Sequence, residues 1–216
     1  NMSNNSFVTL EGGEIGRAQA AQAEAAGLPP SIHMNPVLLK PGGQIGSQVI
    51  LQGKVHGNMT AREYYAFKPA VKDLVMESYR KLAREYEIIV LEGAGSCCEV
   101  NLRAHDIVNF EMALSIGAPV ILVADIERGG VFAQIIGSLE VISARERDLV
   151  QGFIINKFRG DPDLFSDGIT YLEQRTGKPA TLHVTTRDHN RLSLQSLLWG
   201  ARALSIQSVL AATGDY

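Results

Sequence analysis

Three short stretches of nearly unbroken apolar side chains constrain the fold of this chain more than any other feature. They are Glu87-Ile88-Ile89-Val90-Leu91, Pro119-Val120-Ile121-Leu122-Val123-Ala124 and Gly152-Phe153-Ile154-Ile155. Each is rich in β-branched residues and lacks the polar alternation of a half-exposed strand. Each therefore suits a strand covered on both faces, as in a parallel sheet. Helical patterns lie between them. Thr60-Ala61-Arg62-Glu63 forms a capping box opening a long helix. Its apolar residues Val71, Val75, Tyr79, Leu82 and Tyr86 recur every three or four positions and share a face. Pro69 is expected to kink or divide that helix near its start. Residues 106–116, stopped by Gly117, read as a second helix, and 131–142 and 163–175 as two more.

Strands alternating with helices of about a dozen residues imply βαβ crossovers and an open, mostly parallel α/β sheet flanked by helices. Ligands of such sheets bind beyond the carboxyl ends of the strands. The residues just after each run are therefore the informative ones: Glu92, Asp125 and Asn156. The N-terminal third differs. Residues 11–60 are rich in Gly, Gln and Pro, with a small-residue helix over 15–26 and a turn at Pro29-Pro30. A strand at Gln48-Val49-Ile50-Leu51 is expected to follow the Pro41-Gly42-Gly43 turn.

At 216 residues and 45% apolar composition the chain can bury one core, and a single soluble domain is expected. A formal charge of -3 gives no electrostatic case for nucleic acid or an anionic membrane. No apolar run approaches the roughly 20 residues that span a bilayer. The polar opening Asn1-Met2-Ser3-Asn4-Asn5 lacks the order of a signal peptide. The two cysteines, adjacent at Cys97-Cys98, are too few for a disulfide framework or zinc cluster. They read as small packing residues in a reducing cytoplasm.

Chemistry enters at the run ends. In Glu92-Gly93-Ala94-Gly95-Ser96 a carboxylate followed by glycines can meet a magnesium ion held mainly by phosphate oxygens and water, or can be a solvated residue in a tight turn. In Asp125-Ile126-Glu127-Arg128-Gly129-Gly130 the arginine and glycines can form an anion-facing turn. Asp125 there can orient a water or a cationic partner, or serve only as a helix cap with a surface ion pair. The Asn156 amide offers both a donor and an acceptor, matching the edge of adenine, and can equally terminate a strand through its own backbone bond. Asp106 can be merely the N-cap of the helix it precedes. Glu14, Arg17 and Gln19 share a face or edge of the small-residue helix. No GxxxxGKS/T run occurs, and Gly12-Gly13-Glu14-Ile15-Gly16 lacks both the lysine and a preceding apolar strand.

In this order the motifs resemble cobyric acid synthase. The resemblance is carried by Gly12-Gly13-Glu14-Ile15-Gly16-Arg17-Ala18-Gln19, Met34-Asn35-Pro36-Val37-Leu38-Leu39-Lys40-Pro41, Gly46-Ser47-Gln48-Val49-Ile50 and Glu92-Gly93-Ala94-Gly95-Ser96. It continues through Asn101-Leu102-Arg103 with Asp106-Ile107-Val108-Asn109, Asp125 with Arg128-Gly129-Gly130-Val131-Phe132-Ala133, and Asn156-Lys157-Phe158-Arg159-Gly160-Asp161. It runs from residue 1 to about Pro179. The resemblance implies a P-loop NTPase fold like dethiobiotin synthetase, joined to a glutamine amidotransferase domain. That family uses ATP and glutamine to amidate peripheral carboxylates of adenosylated cobyrinic acid a,c-diamide, a corrinoid, in cobalamin biosynthesis. By the same resemblance Glu92 would bind Mg2+ and Asn156 would contact adenine. Arg128, Gly129 and Gly130 would line the phosphate or corrinoid side. Glu99 and Asp106 would be the catalytic pair, facing the corrinoid carboxylate or its phosphorylated form. Glu14, Gln19 and Lys40 would sit on substrate-facing loops.

The chain also departs from the family. The family's P-loop strand would lie upstream of Asn1, and its glutaminase domain, the ammonia source, downstream. Glu11, Gln44 and Glu127 stand where Asp is expected, and Cys97-Cys98 replaces what is usually a Pro and a small residue. From Ala180 onward nothing resembles the family, and Leu192, Leu194, Leu197 and Leu198 give that tail a helical pattern. Residues 1–179 are thus expected to be a partial synthetase domain and 180–216 an atypical tail, in a chain inactive by itself. A partition- or switch-type ATPase of the same broad fold and a non-catalytic remnant remain open as alternatives.

Overall fold

The computed structural model describes residues 2–42, 46–185 and 210–212, and the chain divides into two compact units, 1–109 and 110–216. This division reflects chain packing and lies elsewhere than the expected 179/180 boundary, which was drawn on resemblance. In the first unit a hairpin pairs β1 (Ser6–Val8) with β2 (Glu14–Gly16), and α1 (Arg17–Ala25) follows directly. Strands β3 (Val37–Pro41), β4 (Ser47–Leu51) and β5 (Lys54–Met59) then form an antiparallel sheet in the order β3-β4-β5. The strand expected at Gln48-Val49-Ile50-Leu51 is the centre of that sheet. The β4–β5 turn is made by Gln52 and Gly53, both at positive φ (42° and 78°), the conformation tight two-residue hairpins require.

Helix α2 (Ala61–Glu85) begins with the expected capping box: the Thr60 hydroxyl accepts from the Glu63 N–H, and the Glu63 carboxylate accepts from the Thr60 N–H at 2.8 Å. Pro69 neither ends nor divides it; the helix runs on for 25 residues. The proline removes one helical donor, and the amphipathic face on either side holds the turns together. Of the expected stripe Val71 is buried, while Val75, Tyr79, Leu82 and Tyr86 are half-buried. The core of this unit is Ile15, Ala20, Leu38, Val49, Ile50 and Val71. Polar groups are built into it. Asn35 accepts from the Gly16 N–H through Oδ1 at 2.8 Å and donates to the Val37 carbonyl at 2.9 Å, tying β2 to β3. His33 Nδ1 meets the Ser78 hydroxyl at 3.1 Å.

The first apolar run is not a strand. Residues 87–91 join no ladder among the described residues, and Ile88 and Val90 are 82% and 90% exposed. A run of β-branched residues becomes a strand only where another backbone accepts and donates its hydrogen bonds, and none does so here. The expected second helix is also shorter than its pattern. A 3-10 turn occupies Val100–His105, and α3 (Phe110–Ile116) starts four residues after Asp106.

The other two runs form the parallel sheet of the second unit. It comprises β6 (Val120–Asp125), β7 (Val150–Phe158), β8 (Ala180–Thr185) and β9 (Leu210–Ala212), all parallel and in chain order. Helices α4 (Val131–Val141), α5 (Ala144–Leu149) and α6 (Ser166–Thr176) connect and flank these strands, so the α/β class is as expected. The helix expected over 163–175 begins as a 3-10 turn at Pro162–Phe165. Val150, Phe153, Ile155, Ile135, Leu139 and Leu172 fill the core, each such side chain contributing about 1.5–3 kcal/mol on full burial. β6 is an edge among the described strands, with Ile121 and Val123 half or more exposed. The tail begins as strand β8, not helix. The helical pattern at Leu192–Leu198 and the Gln44 departure lie outside the described residues.

Substituting Asn35→Ala leaves the Gly16 N–H buried without its acceptor. A loss of about 1–3 kcal/mol is expected in urea unfolding, and an unchanged midpoint contradicts the structural role assigned to Asn35.

Candidate functional site

At the carboxyl end of the parallel sheet the register sets Asp125 of β6 opposite Asn156 of β7. The Lys157 ammonium donates to Asp125 Oδ2 at 2.9 Å and lies 3.3 Å from Glu127 Oε2, and Arg159 reaches Glu127 Oε1 at 3.0 Å. The hydrogen bond from Lys157 holds the Asp125 carboxyl below its usual pKa, helped by the Glu127 N–H. Asp125 in turn raises Lys157. Asp125 thus caps the 3-10 turn Ile126–Arg128 through the Glu127 N–H at 2.9 Å and also holds a cation. The turn ends in Gly129 and Gly130 at φ 72° and 70°, where any side chain would be strained, and α4 starts on Gly130. Arg128 is exposed beside them.

β7 and β8 lose register here. Ile155 pairs with Leu182 and Phe158 with Val184, so Asn156 and Lys157 together face His183. A bulge of this kind re-aims the bulged side chains. Lys157 takes φ 61°, uncommon for a side-chain-bearing residue. The Asn156 amide oxygen accepts from the Lys157 N–H at 2.9 Å and is also hydrogen-bonded to His183 Nδ1.

In the first unit Glu92 lies in an exposed coil, where Gln22 Nε2 donates to Oε2 at 2.8 Å. It does not end a strand. Gly93 within the acidic turn is packed so that a Cβ would run into the Asn109 side chain, and Asn109 donates to the Ala94 carbonyl at 3.2 Å. Asp106 Oδ1 accepts from the N–H groups of Val108 and Asn109 at 2.9 and 3.1 Å, closing a turn ahead of α3, so it is not the N-cap of the helix, which starts at Phe110. Glu99 is exposed at the start of the 3-10 turn. Lys68 of α2 donates to the His105 carbonyl at 2.8 Å and sits 4.7 Å from the Tyr65 ring centre. Burial lowers its pKa against the opposing charge of Asp106.

Glu14 and Lys40 form an ion pair at 2.5 Å between β2 and β3, with the Ser6 hydroxyl also near the ammonium. The Lys40 hydrogen bond, then that of Ser6, lowers the Glu14 pKa. Glu14 therefore stands on a strand before α1, while Gln19 is half-buried in α1. Arg17 lies over the Phe7 ring. Among the described residues no three His, Cys, Asp or Glu side chains gather as a metal cluster, and no helix is long and apolar enough to cross a membrane.

The structure brings together Asn156 and, through Lys157 and Asp125, the Arg128-Gly129-Gly130 turn. It brings together Glu14 and Lys40 as a separate pair. Lys157, Lys68 and His183 were not singled out from the sequence. Lys157 alone had a signal, its place directly after Asn156.

The AAA domain family matches residues 56–189. A cobyric acid synthase of Syntrophobacter fumaroxidans is 51% identical over 209 residues, 96% of this chain and 41% of its own length. That of Methylocella silvestris is 57% identical over 180 residues (83% and 38%), and that of a Marinomonas species 54% over 179 residues (83% and 36%). The chain thus spans about two fifths of the length of these relatives. The first match is too long to stop at Pro179. No solved structure matches.

Two outcomes follow from the geometry. Lys157→Met should return the Asp125 pKa toward 3.8 in a carboxyl carbon NMR titration. The lowered pKa makes this pair stabilising above that value, and the contribution is lost as pH falls through the folded-state pKa. Its solvent exposure keeps the effect small. Burial, then the hydrogen bond with Cys98, pushes the Cys97 thiol up to about 12. At pH 8 its alkylation by iodoacetamide, mapped by mass, should be at least about a hundredfold slower than that of a free thiol.

Proposed function

Since the chain belongs to the AAA domain family and is 51–57% identical to cobyric acid synthases, we propose that it carries part of the ATP-using machinery by which such a ligase amidates corrinoid carboxylates. The ordered identity across most of the chain is the observation that carries this reading. The proposed substrate is adenosylated cobyrinic acid a,c-diamide, and the proposed ammonia source is a glutaminase domain. The adjacent thiols Cys97 and Cys98 suit a reducing cytoplasm.

A carboxylate is a poor acyl donor because its leaving group would be oxide. Transfer of the ATP γ-phosphoryl makes an acyl phosphate, which ammonia attacks with loss of phosphate. Catalysis then rests on positioning and on stabilising charge at the transferring group. Asn156 would hold the nucleobase. The Arg128-Gly129-Gly130 turn, fixed through Asp125 and Lys157, would face phosphate or corrinoid anions with the exposed Arg128 guanidinium, its glycines keeping side chains out of the way. Glu92 is a single exposed carboxylate, which suits Mg2+ held otherwise by phosphate oxygens and water. The ion would neutralise charge on the phosphates. Gln22 keeps that carboxylate oriented. Asp106 and Glu99 would face the acceptor carboxylate, with Asp106 also closing the turn at Val108 and Asn109. Glu14 and Lys40, held as a pair, and Gln19 would contact substrate. No GxxxxGKS/T run occurs in the 216 residues, so these residues by themselves would not complete the reaction.

Residues 1–179 can be exchanged for the matching stretch of the Syntrophobacter fumaroxidans enzyme. The chimera should retain ATP- and glutamine-dependent amidation of the diamide, and Glu92→Gln in it should lower kcat about a hundredfold or more. A chimera that folds and binds the diamide but makes no amide would refute the reading.

A further inference from the structure

The bulge at the end of β7 fixes what the Asn156 amide can offer a ligand. Its oxygen has two lone pairs. One accepts from the Lys157 N–H at 2.9 Å, which fixes the amide with Oδ1 on that side. The other meets His183 Nδ1, the one residue of β8 facing the bulge. Because an amide oxygen can only accept, Nδ1 carries the proton in this bond, which leaves Nε2 as the ring's other nitrogen. That Nε2 is buried and has no hydrogen-bond partner among the described residues, so Asn156 is the imidazole's anchor. With both acceptor positions taken, the Asn156 side chain has only its Nδ2 donors left.

Resting on the reading of Asn156 as a nucleobase contact, we propose that His183 is a specificity-determining positioning residue that turns Asn156 from an adenine reader into a general purine reader. A free Asn amide pairs with adenine twice, accepting from the N6 amino group and donating to N7. With its oxygen occupied it keeps only the second contact. Guanine offers N7 as well, and O6 beside it as another acceptor. The donor-only amide therefore gives adenine no advantage over guanine. The sheet makes this local: β8 runs parallel to β7, and the two-for-one register brings His183 to the carboxyl edge where α/β sheets take their ligands.

The test is calorimetric titration of the 216-residue chain with ATP, GTP and 7-deaza-ATP. The expected result is ATP and GTP affinities within about threefold and weaker binding of 7-deaza-ATP, which lacks the acceptor at position 7. His183→Ala frees one lone pair and should shift the ATP-to-GTP affinity ratio toward ATP by about tenfold, the worth of one hydrogen bond. His183→Asn, which restores a donor near the place of Nδ1, should return the ratio to the wild-type value, an effect that mere packing would not produce. If Asn156→Ala weakens nucleotide binding while His183→Ala leaves the ratio unchanged, this inference fails and the nucleobase reading of Asn156 stands. If Asn156→Ala changes neither affinity, or neither nucleotide binds saturably, that reading fails and the inference with it.

Discussion

The parallel ladder between β6 and β7 is the constraint on which the candidate nucleotide site rests. Its register puts Asp125, the last residue of β6, opposite Asn156 near the end of β7, at the edge where ligands of α/β sheets bind. Lys157 bonds back to Asp125 from the neighbouring strand. That bond fixes the approach to the Gly129-Gly130 turn and to α4. Were the register shifted by one residue, Asp125 and Asn156 would no longer be opposed, and the turn would lose its cross-strand tie.

The same edge shows how a sheet spends regularity on a site. The ladder between β7 and β8 breaks just where the polar residues begin, and Lys157 adopts a left-handed backbone there. Conformations of this kind persist where surrounding bonds over-determine them. Here the Lys157 N–H is held by Asn156 and its ammonium by Asp125 and Glu127. In the first unit polar groups do a different job. Asn35 joins β2 to β3 inside the core, and the Glu14–Lys40 pair joins the same strands nearer solvent. The phrases around Glu14, Asn35 and Lys40 that resembled a family therefore have a packing role as well as any contact with substrate.

Much of the second unit was legible because a parallel strand buried on both faces writes itself as a continuous apolar run, as 152–155 does. The capping box at Thr60 was legible for a similar reason: its bonds span three residues. Residues 87–91 carry the same apolar signal and form no ladder, since a strand depends on a partner backbone that no local pattern encodes. β5, Lys-Val-His-Gly-Asn-Met, has no apolar alternation and exists because β4 pairs with it across the Gln52-Gly53 turn. The candidate site divides the same way. Glu92, Asp125 and Asn156 were singled out by their place after apolar runs, and of these only Asp125 and Asn156 lie on strands. Lys157 and His183 act through a bulge between strands some 25 residues apart in sequence, beyond the reach of spacing.

The carboxyl edge of this parallel sheet is the proposed seat of the nucleotide. Backbone amide NMR of the isotope-labelled chain during titration with MgATP tests it most directly. Saturable shifts centred on Asn156, Lys157 and residues 128–130 are expected, with smaller ones at Asp125. Shifts absent from these residues and centred elsewhere would contradict it.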